Sequence, residues 1–236
     1  MKITGKRALV VGGTGGIGAA VADTFADAGA TVLVADRRPG SGRHPSIPLD
    51  VTDEQDVADA VAEALTRLGG IDILVNSAGV LDQADVACMS LRQWQRTIDV
   101  DLTGVFLVSR AVLPHMTAQG WGRIITVASQ LGIKGSPSMA HYAAAKAGAI
   151  AFTKSLALEV AQAGVLVNAI APGPVETDMT VDLTPEWRAR KTAELPLGRF
   201  AVPTEVAPTA LLLASDPGGN LYVGQTLNPN CGDVMP

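Results

Sequence analysis

The chain has 236 residues, 47% hydrophobic and 17% charged, which is ample material for a buried core and excludes a disordered chain. A net charge of −5 without a basic stripe argues against a nucleic-acid partner. Two cysteines, Cys88 and Cys231, give no disulfide framework and are expected as buried or half-buried thiols.

Residues 1–7 lead into a strand without a signal-peptide apolar region, and no apolar run reaches the roughly 20 residues that span a bilayer. The expectation is a cytoplasmic protein with no membrane partner. A first strand is predicted at 8–11, followed by Gly12-Gly13-Thr14-Gly15-Gly16-Ile17-Gly18 and a helix at 19–28. Glycines between strand and helix permit a tight turn and close approach to a pyrophosphate, which free N–H groups and the helix dipole then hold. Two spacings fit the turn: Gly13, Gly15 and Gly18 as G-x-G-x-x-G, or Gly12, Gly16 and Gly18 as G-x-x-x-G-x-G.

The second strand, 31–35, ends at Asp36. A carboxylate there accepts hydrogen bonds from both adenosine ribose hydroxyls and repels a 2′-phosphate. Arg37 and Arg38 pull the other way, since arginine holds a phosphate well. No basic residue stands in the glycine turn, and the balance favours NAD as cofactor over NADP. Between Asp36 and an apparent strand at 47–50, two prolines and two glycines within residues 37–45 leave no room for a crossover helix. Thr52 with Gln55 reads as a capping box opening a helix at 53–68.

Strands at 71–75, 124–127 and 165–170 alternate with helices at 91–116 and 142–163. The strands are near-continuous apolar runs, so both sheet faces should be covered. The expected fold is α/β: a single Rossmann-type, doubly wound parallel sheet with helices on both faces, spanning 1–236 as one domain.

Tyr142 and Lys146 are four apart and share one helix face. A Tyr-x-x-x-Lys pair alone says little; its company says more. The turn at 11–18, Asn76-Ser77-Ala78-Gly79, Ser129, the Tyr142-to-Lys146 segment and Pro172-Gly173-Pro174-Val175-Glu176-Thr177 occur in this order. Together they closely resemble the short-chain dehydrogenase/reductase family, from about Lys6 to Gly232.

The resemblance selects Gly12, Gly16 and Gly18 as the turn glycines, with Thr14, Gly15 and Ile17 beside them in the cofactor site. It implies that Asp50 and Val51 face the adenine and that Asn76, Ala78 and Gly79 line the nucleotide. Ser129 matches the serine that hydrogen-bonds the substrate oxygen, and Pro172, Gly173, Val175 and Thr177 would contact the nicotinamide end. Residues 176–200, with Met179, Trp187 and Leu195, match the mobile substrate-covering loop. The helices at 91–116 and 142–163 pair between subunits in the family, so a homodimer or homotetramer is implied.

Oxidising an alcohol removes its hydroxyl proton as hydride leaves carbon, and reducing a ketone does the reverse. A tyrosine phenol is too weak an acid for this at neutral pH, with a pKa of about 10. The Lys146 ammonium would lower it, and Ser129 would orient the reacting oxygen and hold its developing charge. Two departures from the family pattern stand out. Val11 replaces a threonine and loses a local hydrogen bond. Asp101 replaces an asparagine that stabilises a kinked helix whose carbonyl holds a lysine-linked water. An ionised aspartate accepts hydrogen bonds but donates none, and close to Lys146 it would favour the ammonium and change the relay.

His141 neighbours Tyr142 but faces another direction, either into the substrate pocket or at the surface. His115 reads as structural, and no cluster has metal-ligand spacing. The sequence therefore reads as an NAD-dependent oxidoreductase acting on a small secondary alcohol or its ketone. An NADPH-dependent 3-oxoacyl thioester reductase and a non-catalytic nucleotide-binding regulator are the alternatives.

Overall fold

The computed structural model describes residues 1–40, 42–180 and 184–235. Ser41 in the predicted 37–45 link, residues 181–183 and the Met179 side chain in the predicted substrate loop, and Pro236 lie outside the described residues.

Seven strands form one all-parallel sheet: β1 (Arg7–Val11), β2 (Thr31–Asp36), β3 (Ser46–Pro48), β4 (Ile73–Asn76), β5 (Gly122–Val127), β6 (Val165–Ile170) and β7 (Thr226–Leu227). Their order is β3-β2-β1-β4-β5-β6-β7, so the winding reverses between β1 and β4. In such sheets the ligand crevice opens outside the carboxyl ends of the strands at that reversal. Register aligns those ends, with Val11 opposite both Ala35 and Asn76, and Val127 opposite Ile170.

Alternation along each strand explains the two cores. Ala8 and Val10 turn to one face, where Val21 and Phe25 of α1 (Gly16–Asp27) and Val206 and Leu213 of α8 (Pro203–Ala214) cover them. Leu9 and Val11 turn to the other, against Val57 and Val61 of α2 (Glu54–Leu68), Val108 and Val112 of α4 (Gly104–Gln119) and Leu156 of α6 (Ala140–Val160). Each fully buried side chain of this size contributes about 2 kcal/mol of transfer free energy. No helix among the described residues is long and apolar enough to cross a membrane.

The predicted helix at 91–116 is one helical run in three parts: α3 (Leu91–Ile98), a π-helical turn at Asp99–Thr103, and α4. The β2–β3 connection has no helix among its described residues, as its prolines and glycines dictate. Three local expectations are corrected. α2 is capped by Asp53, whose carboxylate accepts from the Gln55 and Asp56 N–H groups, because the Thr52 hydroxyl donates instead to Asp50 at 2.7 Å. The capping box belongs to α3, between Ser90 and Gln93. The predicted substrate loop contains a helix, α7 (Pro185–Glu194), started by the Thr184 side chain and Pro185. Cys88 is exposed rather than buried, on the connection from β4 to α3; Cys231 is half-buried as expected.

Candidate active site

A cleft of about 860 Å³ lies at the carboxyl ends of the strands. Its floor is the glycine turn. Gly12 has φ +76, and a Cβ there would sit 2.4 Å from the Ala78 nitrogen, so only glycine lets β1 and the segment after β4 come this close. Gly18 does not line the cleft. A Cβ at Gly18 would lie 2.1 Å from the Gly12 carbonyl oxygen, which makes it the packing glycine of the turn. Gly15 faces open space at the start of α1, and no side chain caps that helix. Uncapped first-turn N–H groups beside a glycine cradle are the donors a pyrophosphate needs, so the site fits a dinucleotide.

Thr14, Gly16 and Ile17 also line this end. The Asp36 carboxylate closes it, accepting from the Thr14 hydroxyl at 2.7 Å and the Arg38 N–H at 3.3 Å, with Arg37 on the same wall. Asp50 and Val51 also line the cleft. Hydrogen bonds from the Thr52 hydroxyl and N–H hold the Asp50 carboxyl below its usual range, and Arg37 adds to this. Ala78 and Gly79 form the opposite wall. The Asn76 side chain, in contrast, does not reach the cleft; it is buried and donates to the Ser109 hydroxyl at 3.1 Å.

At the other end, Ser129 follows β5, Tyr142 and Lys146 stand one turn apart on α6, and Pro172, Gly173, Val175 and Thr177 follow β6. Lys146 Nζ lies 5.5 Å from the Tyr142 ring centroid and donates to the Val127 carbonyl at 3.1 Å. The Ser129 hydroxyl, on the same cleft wall as Tyr142, accepts from the Leu131 N–H at 3.1 Å.

Asp101 lies behind this group, fully buried on the π-helical turn. Its Oδ1 accepts from the Val80 N–H at 2.8 Å and its Oδ2 stands 3.4 Å from Lys146 Nζ. That Oδ2 atom makes no aligned hydrogen bond, so its main compensation is the lysine charge. Burial raises the Asp101 carboxyl against the pull of Lys146. Burial alone would depress the Lys146 ammonium, but Asp101 and then Tyr142 more than offset it and hold it above the ordinary lysine range. Tyr142 differs from the sequence expectation: burial pushes its phenol up, Lys146 pulls it back, and Asp101 pushes it up again, for a net rise.

His141 is neither in the pocket nor at the surface. It is fully buried, its Nε2 pairs with Asp82 from the segment after β4, and its Nδ1 has no partner among the described residues. His115 accepts from the Ile71 N–H at 3.2 Å, a structural contact. At the outer rim of the substrate end the cleft is lined by Trp187, which sequence reasoning named, and by Lys134, Arg190 and Lys191, which it did not. The signal was there in part: Thr184-Pro185 is a helix start, and the helix carries three of the four.

The family model for short chain dehydrogenases matches residues 6–187, most of the chain and every cleft-lining residue except Arg190, Lys191 and Glu194 of α7. The chain belongs to the short-chain dehydrogenase/reductase family. Members similar to it along its whole length include the 3-oxoacyl-[acyl-carrier-protein] reductase FabG of Vibrio cholerae, 41% identical with 100% of both chains covered. The FabG enzyme of Aquifex aeolicus is 39% identical over 98% of each chain, and that of Escherichia coli 39% over 100% of each. The solved structure of gox2181 matches with a TM-score of 0.94 at 32% identity, over 98% of this chain and 96% of that one. As a short-chain dehydrogenase/reductase, the protein is an oxidoreductase that interconverts a CH–OH group and a ketone with NAD or NADP.

Proposed function

We propose that the chain reduces 3-oxoacyl thioesters, with Ser129, Tyr142 and Lys146 as its catalytic residues. The observation that carries this reading is the convergence of those three side chains at one end of a cleft whose other end is the uncapped N-terminus of α1. The substrate class rests on the full-length similarity to enzymes named for that reaction.

The ketone oxygen sits between the Ser129 hydroxyl, which donates a hydrogen bond, and the Tyr142 phenol, which delivers a proton to it as the alcohol forms. The Lys146 ammonium stabilises the phenolate left behind, and Asp101 keeps that lysine protonated. The nicotinamide dinucleotide supplies the hydride when bound, cradled by Gly12, Gly15 and Gly16. Asp36 would hydrogen-bond the adenosine ribose and so favour NADH; Arg37 on the same wall is the group that would favour NADPH. Homo-oligomers, as the family pattern implies, complete the reading.

A second reading, NAD-dependent oxidation of a secondary alcohol, is favoured by Asp36 alone. Fluorescence titration with NADH and NADPH, followed by assays on acetoacetyl-coenzyme A and a panel of secondary alcohols, separates the two. Asp36→Ala removes a charged hydrogen-bond acceptor and should weaken NADH binding by about tenfold. Tighter NADPH than NADH binding in the wild-type protein would mean that Arg37 and Arg38 govern the site.

A further inference from the structure

Asp233, near the C-terminus, gathers contacts from elements far apart in the chain. Its Oδ1 accepts from Lys134 Nζ of α5 (Leu131–Lys134) at 2.8 Å and from Lys191 Nζ of α7 at 2.8 Å. Its Oδ2 lies 2.7 Å from the same Lys191 and accepts from the Gln130 side-chain amide. The carboxylate is only 6% exposed. Burial alone would raise it, but hydrogen bonds from Lys134 and Lys191 outweigh that and hold it below the usual range.

The segment that carries Asp233 is held in one shape. The Asn230 side chain donates to the Val234 carbonyl at 2.7 Å and accepts from the Gly232 N–H at 3.0 Å. Cys231 has φ 58, a left-handed conformation that non-glycine residues adopt only where the surroundings impose it. A Cβ at Gly232 would meet Pro196 at 2.8 Å, and one at Gly173 would meet the Asn230 carbonyl at 2.7 Å. The tail is thus wedged between the strand-end loop after β6 and the chain leaving α7.

Its contacts bridge the two walls of the substrate end. Gln130 follows Ser129 directly, and its N–H donates to the Pro172 carbonyl at 3.1 Å. Lys191 stands on α7, where with Trp187, Arg190 and Glu194 it lines the cleft from the far side. The first half of α7 has other tethers: Arg188 pairs with Glu176, and Trp187 packs edge-on against Phe200 at 6.4 Å. The second half depends on Lys191, held by Asp233 and, at 3.3 Å, by Glu194 of its own helix.

We propose that Asp233 is a positioning residue, a carboxylate latch that fixes α7 against the Ser129 wall and so sets the width of the ketone-binding end of the cleft. The latch acts twice. It supplies attraction, and it separates two ammonium groups that reach the same oxygen and would otherwise repel each other. The inference rests on the cleft being a ketone site as proposed above.

Asp233→Asn, Lys191→Met and the double variant test it, with acetoacetyl-coenzyme A as substrate and amide hydrogen exchange read across α7. Loss of one charged contact should raise KM about tenfold, with dinucleotide Kd unchanged and exchange in α7 faster. The double variant should show much less than the product of the two single effects, because both cut one link. Unchanged exchange in α7 overturns the latch, and so does a KM effect accompanied by an equal loss of dinucleotide affinity. Should Asp233→Asn fail to fold, Lys191→Met alone carries the same expectations. A wild-type protein that reduces no ketone defeats the proposed function instead, and exchange in α7 then decides the latch by itself.

Discussion

At Asp101 the replacement of the family's amide by a carboxylate puts a charge 3.4 Å from Lys146, the lysine proposed to tune the Tyr142 phenol. The negative charge stabilises the Lys146 ammonium and disfavours a Tyr142 phenolate, so it opposes half of what the lysine does. Asp101→Asn removes that opposition while preserving shape and the acceptor for the Val80 N–H. Tyr142 should then ionise at lower pH. Alcohol oxidation, which needs the phenolate, should rise at lower pH than in the wild-type protein. Ketone reduction, which needs the neutral phenol, should begin to fall at lower pH as well. Superimposable pH–rate profiles for the two proteins would sink the idea. The sequence carried Ser129, Tyr142, Lys146 and Asp101 because motif order and helical spacing place them. His141 escaped it for a physical reason: adjacent helix positions diverge, but nothing local says that Asp82, 59 residues earlier, waits on the other side.

Among the elements, the turn into α1 assigns different work to glycines that look alike in sequence. Gly18 has a carbonyl oxygen where its Cβ would be, whereas Gly15 has open cleft, an extended backbone at φ −149 and no neighbour within 4 Å. Gly15→Ala should therefore fold with an unchanged thermal midpoint yet bind dinucleotide about tenfold more weakly, because the methyl occupies pyrophosphate space. Gly18→Ala should lower the thermal midpoint itself, since backbone must move to admit the methyl. Calorimetry with parallel NADH titration checks both, and the assignment fails if Gly15→Ala unfolds as readily as Gly18→Ala. Elements with a strong apolar period were legible to within a few residues. β7 and α8 were not predicted, because a strand of two residues carries no period and α8 opens on Pro203 and holds Pro208 inside it, residues that read as helix breakers. The helix inside residues 176–200 was missed because its apolar content is low, although Thr184 and Pro185 announce its start. The π-helical turn is invisible to a 3.6-residue pattern, and only the family resemblance to a kinked helix hinted at it.

On the scale of the whole molecule, exposed apolar side chains occur in several places, Leu221, Val86 and Leu197 among them, and one group lies on the two long helical runs. Phe106 of α4 is 39% exposed and meets Phe152 of α6 edge-on at 6.2 Å, while Leu158, further along α6, is 84% exposed. Scattered exposed apolar residues need no explanation, but an aromatic pair bridging two helices presents a joined face. Burying one such ring against a second copy contributes about 2 kcal/mol, and twofold symmetry doubles the return because each copy offers the same patch. The inferred homo-oligomer should accordingly use this face. Phe106→Asp, which places a charge where the ring would be buried, should shift the sedimenting species to a smaller mass, ending at the 24.2 kDa of one chain if this is the sole contact. The proposed dinucleotide site is the cleft at the strand ends, and its walls include neither Phe106 nor Phe152, so NADH affinity per chain should be retained in the variant. Two results would defeat the assignment: a wild-type protein that sediments as a single chain, or a Phe106→Asp protein whose mass in solution is unchanged.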